Sequence, residues 1–285
     1  MKIKHLLCFI ALCLFFTPGK AQQLSVMTLR NGATVYIWED KSKPDVFGMI
    51  AFKVGSVDDP EQYTGLAHYL EHVMFKGTQT IDALDWEKEK PIYEKIIAKY
   101  DERAALSDPA AREAIDKEIN DLTREAAQYA AGNEFSLLVD HMGGQGLNAS
   151  TGYDQTEYHN SFPPSQLEKW LEIYSERLIG PVFRGFQTEL EAVYEEYNMY
   201  NDDRGSRMRE FIYEQAFGDH PYARPIIGLP EHLKNPQLSK LIDFYNTWYG
   251  PQNMSIILVG NIDAKEAIPM IRDKFERVPR RAEIH

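Results

Sequence analysis

The chain has 285 residues, 44% of them hydrophobic and 26% charged, with 43 acidic against 31 basic side chains and a net charge of −12 at pH 7. That length and apolar content can bury a sizeable core, while the acidic balance argues against nucleic acid as a partner. Both cysteines, Cys8 and Cys13, fall within the first 21 residues. The remainder therefore has neither a disulfide framework nor a thiol nucleophile.

Lys2 and Lys4, the apolar run 6–16 and Thr17-Pro18-Gly19-Lys20-Ala21 follow one another as the charged, hydrophobic and cleavage regions of a secretory signal. The apolar run is too short to span a bilayer, and no later segment is long and apolar enough. Neither cysteine follows the small residue that a lipoprotein cleavage site needs. The expectation is an exported protein, periplasmic or secreted, cleaved near Ala21, with a mature domain over residues 22–285 and no stable membrane anchor.

Two β-rich runs, 24–29 and 33–39, flank Asn31-Gly32, a two-residue hairpin motif, and a third strand follows over 46–54. Residues 65–76 carry apolar side chains at helical spacing and end at Gly77, a residue suited to a left-handed cap. From 85 to 129 the chain is rich in Glu, Lys and Ala, with Ser107-Asp108-Pro109 between two helical halves, which predicts a helical hairpin. A β-compatible stretch over 147–162 precedes helices near 165–178, 187–200, 207–216 and 238–249. Ser255 to Gly260 reads as a buried strand, and a last helix covers about 264–275. Strands at both ends with helices between predict an α+β fold, a sheet layered with helices.

His68-Tyr69-Leu70-Glu71-His72 lies on the 65–76 helix. Residues four apart are separated by about 40° around a helix, so both imidazoles can reach one ion at the roughly 2.0–2.1 Å that zinc requires. Glu71 projects beside them, where a carboxylate can take a proton from an activated water and return it to a leaving amine. The order reverses the commoner His-Glu-X-X-His zinc helix and is the inverzincin pattern. Zinc needs a third protein ligand and an open fourth position. On the acid-rich helix after Phe186, Glu189 and Glu196 are seven apart and share a face with Ala192, Val193 and Met199, while Glu191 and Glu195 turn away. One of the two can ligate and the other support it; helical geometry does not say which.

His68 to Thr78, Asn148-Ala149-Ser150-Thr151 and Glu189 to Glu196 together resemble the pitrilysin and insulinase family, which includes the mitochondrial processing peptidase. The resemblance implies a mixed, largely antiparallel sheet layered with helices, with Zn2+, one per chain, held by His68, His72 and Glu196, the second Glu of a Glu-X6-Glu pattern. It further implies that Glu71 is catalytic, that Glu189 supports the site, and that Asn148 and Ala149 precede an edge strand to which peptide substrates add by β-pairing. The function it implies is that of a zinc endopeptidase acting on peptides or unfolded chains.

Two departures from the family pattern stand out. The 85–129 hairpin looks like an insertion, similar to one in certain large exported members. The family also encloses its substrate between this half and a homologous second half, so this chain reads as the zinc half alone, expected to cleave peptides poorly without a second half, fused or separate. The rival function is a noncatalytic partner or peptide-binding subunit. His141, His159, His220 and His232 are scattered and predict no second metal site, and Trp170, Trp248 and Tyr249 read as core.

Overall fold

The computed structural model describes residues 23–281; the leader reading, with Cys8, Cys13 and Ala21, lies outside them. Six strands, β1 (Gln23–Thr28), β2 (Thr34–Glu39), β3 (Val46–Phe52), β4 (Gln145–Thr151), β5 (Thr156–Phe162) and β6 (Met254–Gly260), form one sheet in the order β1-β2-β6-β3-β5-β4. Only β2 and β6 pair in parallel. The expected mixed, largely antiparallel sheet is thus present, and β4 forms one of its two edges.

Alternation along the central strands assigns the sheet's two faces. In β3 and β6 every second residue is buried, and Val35, Ile37, Ile50, Phe52, Ile256 and Leu258 pack toward the helices. Strand side chains alternate across the pleat, which puts Leu24, Val26, Tyr36, Trp38 and Val259 on the opposite, exposed face. Gly48 sits where Trp170 lies flat on β3: a Cβ there would come within 2.5 Å of the indole ring.

Ten helices lie among the described residues. The first, α1 (Leu66–Val73), is shorter than the sequence suggests, because Met74 to Lys76 leave the helix as turns before Gly77, which adopts φ 90°. The expected hairpin is α2 (Trp86–Ala105) and α3 (Pro109–Ala126), capped at their starts by the side chains of Asp85 and Asp108. A further helix, α4 (Glu134–His141), was not anticipated; its eight residues are too few for a clear 3.6-residue period. The rest are α5 (Leu167–Ile179), α6 (Phe186–Asp202), α7 (Arg204–Phe217), α8 (Pro230–Leu233), α9 (Leu238–Trp248) and α10 (Ala264–Phe275).

Three local readings are corrected. The first hairpin turns through Arg30, Asn31 and Gly32 rather than two residues, with Leu29 N–H donating to the Ala33 carbonyl. Asn31 is buried because its amide donates to the carbonyls of Phe275 and Val278 at 2.7 and 3.1 Å, a long-range role added to the local turn bond in which its Oδ1 accepts from Ala33 N–H at 3.4 Å. On α6, Val193 is buried but Ala192 and Met199 are exposed, so the face shared by Glu189 and Glu196 borders a cleft and is not packed core. Trp170 and Tyr249 are fully buried, whereas Trp248 is only half-buried.

Candidate metal centre

The position of α1 is fixed at both ends. Asp59 Oδ2 and Oδ1 accept from the backbone N–H groups of Gly65 and Ala67 at 2.7 and 2.9 Å, meeting donors at the start of the helix with a buried carboxyl group. At the other end Arg177 Nε donates to the Met74 carbonyl at 2.9 Å. Arg177 is only 2% exposed. Its guanidinium lies 4.2–4.6 Å from the ring centres of Tyr158, Phe75 and Phe135, and its two Nη atoms are buried without hydrogen-bond partners. Aromatic faces stand in for the missing anion. The Tyr69 hydroxyl donates to the Phe186 carbonyl, which ties the middle of α1 to the start of α6.

This framework brings together His68, His72 and Glu196. His68 Nε2 and His72 Nε2 lie 3.6 and 3.5 Å from the same oxygen, Glu196 Oε2, and one donor atom from each residue falls within 4.8 Å of the others. Donors bound to a tetrahedral ion at about 2.0–2.1 Å are separated by about 3.3 Å, so the arrangement fits zinc with only small movement. Two imidazoles and a carboxylate, with the fourth direction open, form the donor set of several catalytic zinc sites. Among the described residues this is the only cluster of three or more such ligands, and His141, His159, His220 and His232 form no second one.

His72 Nδ1 faces Glu189 Oε2 at 3.6 Å, and the other Glu189 oxygen is 2.5 Å from Lys76 Nζ. Glu189 thus lies behind a ligand, where a carboxylate orients an imidazole. Burial would lower the His72 pKa, but Glu189, Glu71 and Glu196 outweigh it and hold it above the ordinary value. Glu189 is itself held below its usual range, its burial offset by His72 and Lys76. His68, 12% exposed at its side chain, is pulled down to about 3 by burial and then by His72. Its imidazole is neutral, with a lone pair free to ligate. His68 Nδ1 is buried without a partner, so His68 lacks the supporting carboxylate that His72 has.

Glu71 stands beside the donors without joining them. Its Oε2 accepts from the Thr151 hydroxyl at 2.5 Å. Burial raises its pKa, and the Thr151 hydrogen bond and His72 only partly offset that rise. A cleft of about 460 Å³ opens over His68, Glu71 and Glu196, walled by Ala149 and Thr151 on β4 and by Tyr153, Arg209 and Tyr213. Asn148 and Ala149 lie within the edge strand rather than before it, after a bulge between Gln145 and Asn148. Ala149 is buried against the site, and Asn148 is exposed on the alternate side.

Sequence reasoning missed Thr151, Lys76, Asp59 and Arg177. Lys76 could have been found, since it lies four residues after His72 and so on nearly the same side of the chain. Asp59 and Arg177 meet α1 only through the fold and leave no local pattern.

A helix with two histidines, packed across from an acidic helix and under a mixed sheet, is the architecture of a class of zinc proteases. Residues 34–90 and 122–229 match the family described as insulinase, peptidase family M16, and residues 237–285 match its inactive domain. The chain belongs to the M16 family of peptidases. The probable zinc protease PqqL of Escherichia coli K12 is 25% identical over 270 residues, which cover 90% of this chain and 23% of that protein. The crystal structure of a protease from Helicobacter pylori superposes with a TM-score of 0.71 at 22% identity, covering 93% of this chain and 52% of that one. That of the first half of the periplasmic protease PqqL from Escherichia coli gives 0.69 at 25%, covering 93% and 49%. The chain spans about half the length, or less, of each of these proteins.

Proposed function

We propose that this chain is the zinc-bearing half of an exported endopeptidase that hydrolyses extended peptides or unfolded chains. The observation that carries this reading is the convergence of His68, His72 and Glu196 donors beside Glu71, in a cleft walled by a sheet edge. His68, His72 and Glu196 hold one zinc ion, with Glu189 and Lys76 orienting His72. When bound, the ion supplies Lewis acidity toward the scissile carbonyl and lowers the pKa of water.

The protein's own residues do the rest. Glu71 takes a proton from the attacking water and gives it to the leaving nitrogen, while Thr151 holds the carboxylate in place. The free edge of β4 pairs with the substrate backbone through main-chain hydrogen bonds, with Asn148 and Ala149 in the pairing strand. Folded chains present few unpaired backbone groups, so the edge favours extended ones.

Export to the periplasm is supported by the N-terminal charged-apolar-small pattern and by the description of the PqqL relative as periplasmic. No described helix is long and apolar enough to cross a membrane. The need for a homologous second half is supported by the match to the first half of that relative. The domain reading is a single zinc-peptidase domain over 22–285, with the α2–α3 hairpin inserted. The family match leaves residues 91–121, the greater part of that hairpin, between its two segments.

The deciding experiment compares zinc content and peptide hydrolysis of the completed protein with those of its Glu71→Gln variant. Zinc in both and hydrolysis only in the parent is expected. Hydrolysis absent from both, with extended peptides still bound, would favour a noncatalytic binding subunit.

A further inference from the structure

The candidate ligands reside on two helices, α1 and α6, separated in sequence by more than a hundred residues. A site of this kind works only if the helices are held to within a fraction of an ångström. One side chain touches both the segment leaving α1 and the segment entering α6. Arg184 directly precedes Gly185, the residue that caps the start of α6. Its Nη1 donates to the carbonyls of Thr78 and Lys76 at 2.9 and 3.3 Å, in the loop just after α1. The same loop and the approach to α6 are joined by Val182 N–H donating to the Gly77 carbonyl and by a bridge between Thr78 and Pro181.

Arg184 is itself locked from the hairpin. Its Nε and Nη2 bond both oxygens of Glu89 at 2.6 and 2.7 Å, and Glu89, in the first turn of α2, is 2% exposed. A two-pronged pair of this kind fixes the orientation of the guanidinium as well as its position. Two hairpin tyrosines add to the grip on the same segment. Tyr93 Oη accepts from Phe183 N–H at 3.3 Å, and the Tyr100 ring meets Phe186 edge-on at 4.8 Å. The hairpin therefore leans on the hinge between the two ligand-bearing helices and not on remote surface.

We infer that Glu89 and Arg184 are positioning residues for the metal centre, and that the helical hairpin serves to set the spacing between α1 and α6. This rests on the zinc assignment above. A lysine at 184 cannot bond the carbonyls and both Glu89 oxygens at once, because it lacks the planar fork. Glu89→Gln keeps the shape but removes the charge that holds the fork.

The test measures zinc affinity of the full chain by competition with a chromophoric chelator, alongside thermal midpoints and the visible spectrum of the cobalt-substituted protein. Variants are Glu89→Gln, Arg184→Lys and, as a remote control, Ile271→Val in the buried core of α10. Zinc affinity should fall about 10–100-fold in the first two, the range seen when groups behind a ligand are lost. Their cobalt bands should shift, while the control keeps parental affinity and spectrum. Because a lone buried charge can unfold a protein, Glu89→Met/Arg184→Met removes both charges together, and its affinity should fall likewise. Parental affinity and spectrum in the folded variants would overturn the inference. A parent chain that binds no zinc would instead remove the zinc assignment, and the inference with it.

Discussion

Thr151 and Glu71 are joined by a 2.5 Å hydrogen bond in which the threonine hydroxyl donates to the carboxylate. The last residue of the edge strand therefore holds a site acid that, like Glu189, is not among the converging metal donors. On the proposed function, a peptide paired to β4 would be placed in register with that acid by the same strand. Thr151→Val should lower kcat of the completed enzyme about tenfold, the cost of one hydrogen bond to a charged group, with zinc content unchanged. Glu71→Gln should keep zinc and lose 10²–10⁴-fold in kcat, roughly the contribution of a positioned base. Near-parental turnover in that variant would place the base elsewhere.

Removing both imidazoles tests the ligands directly. A His68→Ala/His72→Ala double variant should contain no stoichiometric zinc by elemental analysis, and retention of the metal would defeat the assignment. Glu196→Gln should weaken zinc more than Glu189→Gln, since the second acts only through His72; for Glu189→Gln a loss of about 10–100-fold is expected. Lys76→Met should resemble a mild form of Glu189→Gln, because Lys76 holds the other Glu189 oxygen.

Asp59 makes stability depend on pH. Burial pushes its carboxyl up to about 7 from 3.8, against the pull of the Ala67 and Gly65 N–H groups and of Arg224, with Asp58 adding to the rise. The folded state thus keeps a proton that the unfolded state has lost. Stability from this group is full below about pH 4 and declines as pH rises toward about 7. Asp59→Asn cannot titrate, so the parent should lose stability relative to this variant between pH 4 and pH 7, as read from denaturation midpoints. A constant difference across that window would show that Asp59 stays ionised in the folded protein.

Residues 22–285 alone should bind zinc and cleave peptides poorly. The cleft over Glu71 is open on one side, and acyl transfer needs fixed donors at the developing oxyanion. The measurement is turnover of the isolated segment beside the completed enzyme at equal zinc occupancy. Comparable values would show that this half suffices.

The strongest sequence patterns were those with a short physical period. The His-X-X-Glu-His turn and the seven-residue separation of Glu189 and Glu196 follow from helix geometry, and both lie on helices as expected. What could not be read depends on contacts far apart in sequence. Nothing near Asn31 reveals that its amide is taken by Phe275 and Val278. Nothing near Arg177 announces that α1 ends against it. Helical geometry alone did not choose between Glu189 and Glu196; the family resemblance named Glu196, and the relative placement of the two helices agrees with it. That placement puts Glu196 between both imidazoles and Glu189 behind one.

The strand order bears on how the molecule assembles. β6 comes last of the strands in the chain yet lies between β2 and β3 in the sheet. Until it arrives, those two strands flank a gap, and closing it joins segments more than 200 residues apart. Such long-range pairing is slow, because chain entropy is lost before the contacts form. The histidine helix packs against β4 and β5, on the other side of β3 from that closure, and against α6, so the sheet beneath the candidate ligands does not depend on the last strand.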